Sequence, residues 1–154
     1  GPENNVFDVA LSASGDEVEV DTGDGPQSFD LASVERLCME GRRGADAITI
    51  APDIDIPAHI LGGRGPDEIL GGSGPDRIRG GRGPDVIDGW DGNDVLRGRR
   101  GADQVMGGEG DDLLRGGRGP DSMDGGAGSD SMHGGRGADT DMHPDPADRV
   151  FGMP

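Results

Sequence analysis

From Gly62 to Met142 the chain divides into nine consecutive blocks of nine residues, and every block carries aspartate at its sixth place. The best preserved read GGRGPDEIL (62–70), GGSGPDRIR (71–79), GGRGPDVID (80–88) and GGEGDDLLR (107–115). Position four is glycine in all nine blocks, and position eight is aliphatic or methionine in eight of them. So short a fixed period has no room for helices or for a conventional core. It calls for a solenoid in which each unit is stabilised by stacking on the next.

The spacing also carries chemistry. Glycines at positions one, two and four allow positive φ and a close backbone approach. Position six adds a carboxylate, completing a half-site of hard oxygens. Calcium takes six to eight oxygens at about 2.3–2.6 Å, more than one loop can offer, so two stacked loops would have to share an ion. The acids in question are Asp67, Asp76, Asp85, Asp94, Asp103, Asp112, Asp121, Asp130 and Asp139. Positions seven to nine are long enough only for a short strand, with position eight turned inward. That inward place is filled by Ile69, Ile78, Ile87, Leu96, Val105, Leu114, Met123 and Met132. One apolar side chain per block is a thin core against the entropy of ordering nine residues. Metal binding, which is folding free energy when the apo site is not preformed, is expected to supply the difference.

A second period doubles the first. Position three alternates between Arg64, Arg82, Arg100, Arg118 and Arg136 in one set and Ser73, Asp91, Glu109 and Ala127 in the other. Position nine alternates as well, with Arg79, Arg97, Arg115 and His133 in one set. The structural repeat is therefore eighteen residues, two blocks per coil. The acids fall into two ladders, Asp67 to Asp139 on one edge and Asp76 to Asp130 on the other. Four gaps and three gaps predict about seven calcium sites. Two divided blocks, GRRGADAIT (41–49) and HPDPADRVF (143–151), add Asp46 and Asp148 as weaker candidates. Asp46 lies 21 residues before Asp67, so three residues must loop out within 50–61.

Nine tandem copies of GGxGxDxUx, with U a large apolar residue, resemble the RTX (haemolysin-type) calcium-binding repeat family. The resemblance is close over 62–142 and looser over 41–61 and 143–151. It implies an all-β chain, a right-handed parallel β-roll with two repeats per coil. It also implies calcium held between successive loops by the position-six carboxylates and by loop carbonyls, here those of Gly65, Gly74, Gly83, Gly92, Gly101, Gly110, Gly119 and Gly128. A secreted or cell-surface setting is implied with it. Three features depart from the pattern. Trp90 and Arg99 replace the second glycine, which strains those loops unless they bulge, and Asp141 takes an inward place, so block 134–142 ends or caps the regular roll. Met123 and Met132 predict a looser core near that end.

Outside the repeat, VFDVAL (6–11), DEVEVDT (16–22) and SFDL (28–31) alternate like strands, with turns at Ser14-Gly15 and Gly23 to Pro26. Residues 1–40 are expected to form a β cap or uncalcified coils, 41–151 the roll and 152–154 a tail, since solenoids need atypical ends. Val34, Leu37 and Met39 are expected to face in. The 32 glycines and 11 prolines would signal disorder without the period. The net charge of −17 reads mostly as metal-binding capacity, because seven calcium ions would reduce it to about −3. No apolar stretch approaches the roughly 20 residues of a membrane helix, and Gly1-Pro2 reads as a protease scar on an excised piece.

Other chemistries are weaker. His59, His133 and His143 lack partners at zinc spacing, Asp53-Ile54-Asp55 lacks the other ligands of an EF-hand, and Cys38, in a strand-like run, is expected to be packed. No nucleophile–base pair stands apart from the repeat, so no enzyme is expected. A ladder of arginines eighteen apart reads either as an anion track or, preferred, as charge balance beside the acids. A net acidic chain repels polyanions at long range, and aromatic interleaving for nucleic acid is missing. Three functions stay open: a calcium-responsive folding module for a secreted protein, a calcium-dependent adhesin binding glycans or itself, and the repeat domain of a larger secreted enzyme or toxin.

Overall fold

In the computed structural model, which describes residues 4–11, 15, 17–21 and 26–153, the chain winds into two facing parallel sheets. One sheet holds β4 (Leu37–Arg43), β6 (Ala58–Arg64), β8 (Arg77–Arg82), β10 (Val95–Arg100), β12 (Leu113–Arg118), β14 (Ser131–Arg136) and β16 (Arg149–Phe151). The other holds β5 (Ala47–Ile50), β7 (Glu68–Leu70), β9 (Val86–Asp88), β11 (Gln104–Glu109), β13 (Ser122–Ala127) and β15 (Thr140–Asp141), extended by β1 (Val6–Leu11), β2 (Glu17–Asp21) and β3 (Pro26–Asp30). Successive blocks alternate between the sheets, so each coil uses two blocks, and pairing runs eighteen residues apart, as in Ile78 on Leu96 and Leu96 on Leu114. The chain is a parallel β-solenoid of about six turns.

The strands are longer than positions seven to nine alone. In β8, β10, β11, β12, β13 and β14 the strand continues through positions one and two of the next block to position three. A glycine at φ near +120°, such as Gly63, still keeps its ladder bonds. Trp90 and Arg99 do not bulge out. They adopt φ 76° and 86°, and Arg42 does the same at 78°. Each such residue costs about 1–2 kcal/mol relative to glycine.

Two inward stacks form the core. Ile48, Ile69, Ile87, Val105 and Met123 pair in register on one sheet, and Ile60, Ile78, Leu96, Leu114 and Met132 on the other, all with no exposed surface. The methionines are thus as enclosed as the isoleucines. The core thins only beyond them: Asp141, in register with Met123, is half-buried, and Val150, in register with Met132, is 40% exposed.

At the other end the core thickens. Val9, Leu37, Ile50, Ile54, Ile56 and Ala58 join it, with Val34 and Met39 packed against it. Three residues leave the eighteen-residue frame here. Thr49 pairs with Leu70 at a spacing of 21, whereas the Ser73 amide reaches the Ile54 carbonyl at the ordinary offset. The insertion is therefore 51–53, closed by the Ile54 amide on the Ala51 carbonyl at 3.0 Å. The cap is continuous with the roll, because β1 runs parallel to β5 while β2 and β3 add antiparallel. Of the predicted turns, Gly15 takes φ 78°, and Ser14 and residues 22–25 lie outside the described residues. Cys38 is exposed, contrary to expectation: Leu37 and Met39 take the inward places of β4, and strand alternation turns Cys38 outward beside His59.

Candidate metal centre

Every repeat acid turns into the roll. Asp67, Asp76, Asp85, Asp94, Asp103, Asp112, Asp121, Asp130, Asp139 and also Asp46 are between 1 and 3% exposed. One carboxylate oxygen is spent on architecture. The Oδ1 of each acid accepts the backbone amide of the acid one coil earlier, at 3.0 Å along Asp46, Asp67, Asp85, Asp103, Asp121 and Asp139. The same bond, at 2.8–3.1 Å, links Asp76, Asp94, Asp112, Asp130 and Asp148. Both divided blocks therefore belong to the ladders, Asp46 at the head of one and the half-buried Asp148 at the foot of the other.

The second oxygen has no such partner. Oδ2 of Asp46, Asp67, Asp85, Asp94, Asp103, Asp112, Asp121, Asp130, Asp139 and Asp148 is buried and accepts no hydrogen bond. A buried carboxylate oxygen without a donor is costly unless a cation meets it. The exception is Asp76. Its Oδ1 accepts the Ala58 amide at 2.7 Å and its Oδ2 the Gly72 amide at 3.1 Å. The preceding loop there, 51–57, has no glycine–aspartate pattern and buries Ile54 and Ile56 instead.

The orphan oxygens share their space with carbonyls. A methyl group on Gly62 would lie 2.5 Å from Asp67 Oδ2 and 2.8 Å from the Gly80 carbonyl of the next coil. At Gly134 the corresponding distances are 2.6 Å to Asp139 Oδ2 and 2.9 Å to the Gly152 carbonyl. At position four, the carbonyls of Gly65, Gly83, Gly92, Gly101 and Gly110 point onto the equivalent glycine of the following coil, and that of Gly74 onto Gly92. Gly119 does the same toward Gly137, whereas Gly128 shows only the receiving half of this contact, from Gly110. Position one must be glycine because a Cβ would occupy the place where carboxylate and carbonyl oxygens meet. Among the described residues no three His, Cys, Asp or Glu side chains converge. A cation held here must take most of its ligands from backbone carbonyls, which suits calcium and not a soft-ligand metal.

Burial raises the acids toward neutrality. It lifts Asp67, Asp76, Asp103 and Asp112 from 3.8 to about 6, Asp85 to about 7 and Asp94 to about 8. The amide bonds to Oδ1 work against the rise, and for Asp85 and Asp94 the neighbouring ladder acids add to it. Asp121 and Asp130 are raised for the same first reason. In a roll without cations these carboxylates hold protons that they would not hold in water.

The head of the first ladder ends without an acid. Asn5 donates its backbone amide and side-chain amide to Asp46 Oδ1 at 2.7 and 2.9 Å, and its Nδ2 also reaches the Gly41 carbonyl at 2.6 Å. The sequence signal was present, since Asn4-Asn5 directly precedes β1, but only the fold shows what it meets.

A family profile for the RTX calcium-binding nonapeptide repeat (four copies) matches residues 59–81, 70–105 and 106–141, more than half of the chain. The chain belongs to the RTX calcium-binding repeat family. No curated protein matches this RTX chain in sequence. The RTX repeat is a calcium-binding module, and the β-roll described above is its scaffold. His59, His133 and His143 are spread along the roll: His59 and His133 stand in the outward rows of the β6–β14 sheet, and His143 meets Asp124 at 2.5 Å. Among the described residues no helix is long and apolar enough to cross a membrane.

Proposed function

We propose that residues 41–151 fold as a calcium-loaded roll, with residues 1–40 as its N-terminal cap and 152–154 as a tail. Calcium ions would lie between successive loops of each ladder, held by the repeat acids together with Asp46 and Asp148 and by carbonyls of positions one and four. The six acids of one ladder leave five gaps, and the run from Asp76 to Asp148 leaves four. Bound calcium supplies positive charge and oxygen coordination and no redox or acid–base chemistry. The chain's own contribution is to bury the ligands at fixed spacing. The observation that carries this reading is the row of buried Oδ2 atoms without a donor.

The same row supports folding on binding. An ion-free roll must bury these carboxylates unpaired, so chain order and calcium are coupled. The module then suits a secreted or cell-surface protein: a loose polyanion where calcium is scarce and a rigid, stabilising or secretion-linked unit where it is abundant. A second reading, calcium-dependent adhesion or surface assembly, draws on the arginine-covered sheet treated below. An assignment as the non-catalytic part of a larger secreted enzyme or toxin is compatible with either.

The test is a calcium titration of chelator-treated protein followed by far-UV circular dichroism, with magnesium as control and calorimetric stoichiometry alongside. A steep coil-to-β transition with calcium alone is expected. Full β signal after chelation, or an equal response to magnesium, would refute calcium-coupled folding.

A further inference from the structure

All fourteen basic residues of the chain are arginines, and the fold places them on one side. The β4–β16 sheet carries Arg42, Arg43, Arg64, Arg77, Arg79, Arg82, Arg97, Arg99, Arg100, Arg115, Arg118, Arg136 and Arg149 within its strands. The remaining one, Arg36, directly precedes β4. The strands of the opposite sheet contain none. Acids divide the other way: the arginine sheet has only Glu40 in its strands.

The arginines are in register. Arg43, Arg64, Arg82, Arg100, Arg118 and Arg136 form one unbroken row, and Arg79, Arg97 and Arg115 form a second that continues into His133. Neighbours in a row stand one strand spacing apart, about 4.8 Å, and like charges so placed repel. Internal charge balance does not relieve them, because no described guanidinium pairs with a carboxylate. Arg97 shows the cost: it is half-buried, its Nε has no hydrogen-bond partner, and burial together with Arg115, Arg79, Arg99 and Arg77 pulls its pKa down. Arg42 and Arg99 go further, taking positive φ at places that the repeat gives to glycine, and with Arg64, Arg82 and Arg100 they line a shallow open cavity. Backbone strain and charge repulsion both run against stability here, and both concentrate guanidinium groups on one flat face.

We propose that this face binds a linear acidic polysaccharide laid along the roll axis, its carboxylate or sulfate groups meeting the arginine rows. A polymer with regularly repeated anions fits rows of regularly repeated cations, and guanidinium suits both oxyanions. A folded protein partner would need apolar anchors. The exposed large apolar side chains are instead Val6, Phe29, Val86 and Trp90 on or beside the other sheet, with Val150 and Phe151 on the last strand of this one. Single-stranded nucleic acid would need aromatic platforms, and the middle of the face has none. The proposal deepens the adhesion reading and rests on the calcium-loaded roll.

The experiment uses calcium-loaded protein whose β signal has first been verified, so failure to load counts against the calcium reading and not against this one. Binding to polygalacturonate, dextran sulfate, uncharged dextran and oligo-dT is measured at about 50 and 200 mM salt, together with sedimentation of the protein alone. The test variant combines Arg82→Gln, Arg100→Gln and Arg118→Gln. Its control combines Gln104→Glu, Ser122→Glu and Thr140→Glu, which shifts net charge equally from the opposite sheet. Salt-sensitive binding to either acidic polysaccharide but not to dextran, weakened at least thirtyfold in the arginine variant and less than threefold in the control, is expected. Equal loss in both variants, binding to oligo-dT as tight as to the polysaccharides, or self-association without polysaccharide binding would each overturn the proposal.

Discussion

The proton is the sharpest probe of whether calcium meets a preformed roll or creates one. In the ion-free roll, burial holds Asp85 at about 7 and Asp94 at about 8, against an ordinary 3.8. A pKa raised on folding makes protonation stabilise the fold. That contribution is complete below about pH 4 and is lost as pH rises through 6 to 8. At neutral pH the ion-free roll has therefore lost most of it, which disfavours that state. If calcium nevertheless bound a preformed roll, it would have to displace these protons. Lowering the pH from 8 to 6 would then weaken binding about tenfold at a site using Asp85 and about fiftyfold at one using Asp94. If calcium instead folds a disordered chain, the competing state has acids near 3.8, already ionised across that range. The calcium midpoint should then move less than about threefold between pH 8 and pH 6 and rise steeply only below about pH 5. Titrations followed by circular dichroism at four pH values separate the cases. A tenfold or greater shift between pH 8 and 6 would refute coupled folding, whatever the spectrum of the chelated protein.

Other substitutions test the assignment of individual residues. Asp94→Ala or Asp112→Ala, each removing a mid-ladder acid with an orphan Oδ2, should raise the calcium midpoint several-fold and blunt cooperativity, whereas Asp139→Ala, at a ladder end, should do so far less. Equal midpoints in the three variants would contradict shared sites. Gly62→Ala should weaken calcium-dependent folding as strongly, because its methyl would fall among the oxygens of Asp67 and Gly80; an unchanged titration would show that this space is not used. Leu96→Ala, at a fully buried place in a core with few members, should cost about 2–5 kcal/mol in the denaturant stability of the loaded protein. Ile54→Ala should raise the calcium midpoint more than Met132→Ala, although both side chains are buried, because Ile54 belongs to the apolar N-terminal coil on which the later coils stack.

The period of nine made the solenoid legible, and the alternation at positions three and nine made its two-block coil legible. Both follow from pairing: residues eighteen apart become neighbours, so their side chains must agree in character. The ladder acids were readable for the same reason, as was the three-residue excess before Asp67. What spacing could not reveal is which oxygen each carboxylate commits. Asp76 sits in a block as regular as that of Asp85, yet both its oxygens are satisfied, Oδ1 by the Ala58 amide and Oδ2 by the Gly72 amide of its own block. The segregation of arginine was visible as a ladder but not as a face, since Arg42 and Arg99 lie at position two and Arg77 and Arg149 at position seven, outside the ladders at positions three and nine, and join them only when the sheet assembles. Cys38 was misjudged because a strand-like run does not say which parity faces in.

The two ends of the roll differ in what stabilises them, and this gives folding a direction. At the N-terminal end, Ile48, Ile50, Ile54, Ile56 and Ile60 lie close together in sequence and are all buried, so this coil holds more than twice the large apolar side chains of a later one. The acid stacked on it asks least of calcium: both oxygens of Asp76 are met by amides, whereas Asp46 keeps an orphan Oδ2. Toward the C-terminus the inward places pass from isoleucine to Met123 and Met132 and then to Asp141 and the exposed Val150. Each block of a later coil adds one apolar residue and one acid whose Oδ2 lacks a donor. Under the proposed calcium-coupled folding, a coil of that kind would be stable only on a formed predecessor and with an ion in the gap, since half of each site would belong to the coil before it. Order should therefore begin where ions matter least and spread toward the end where they matter most. On that proposal the apolar cap would set the calcium concentration at which the whole roll can start to form.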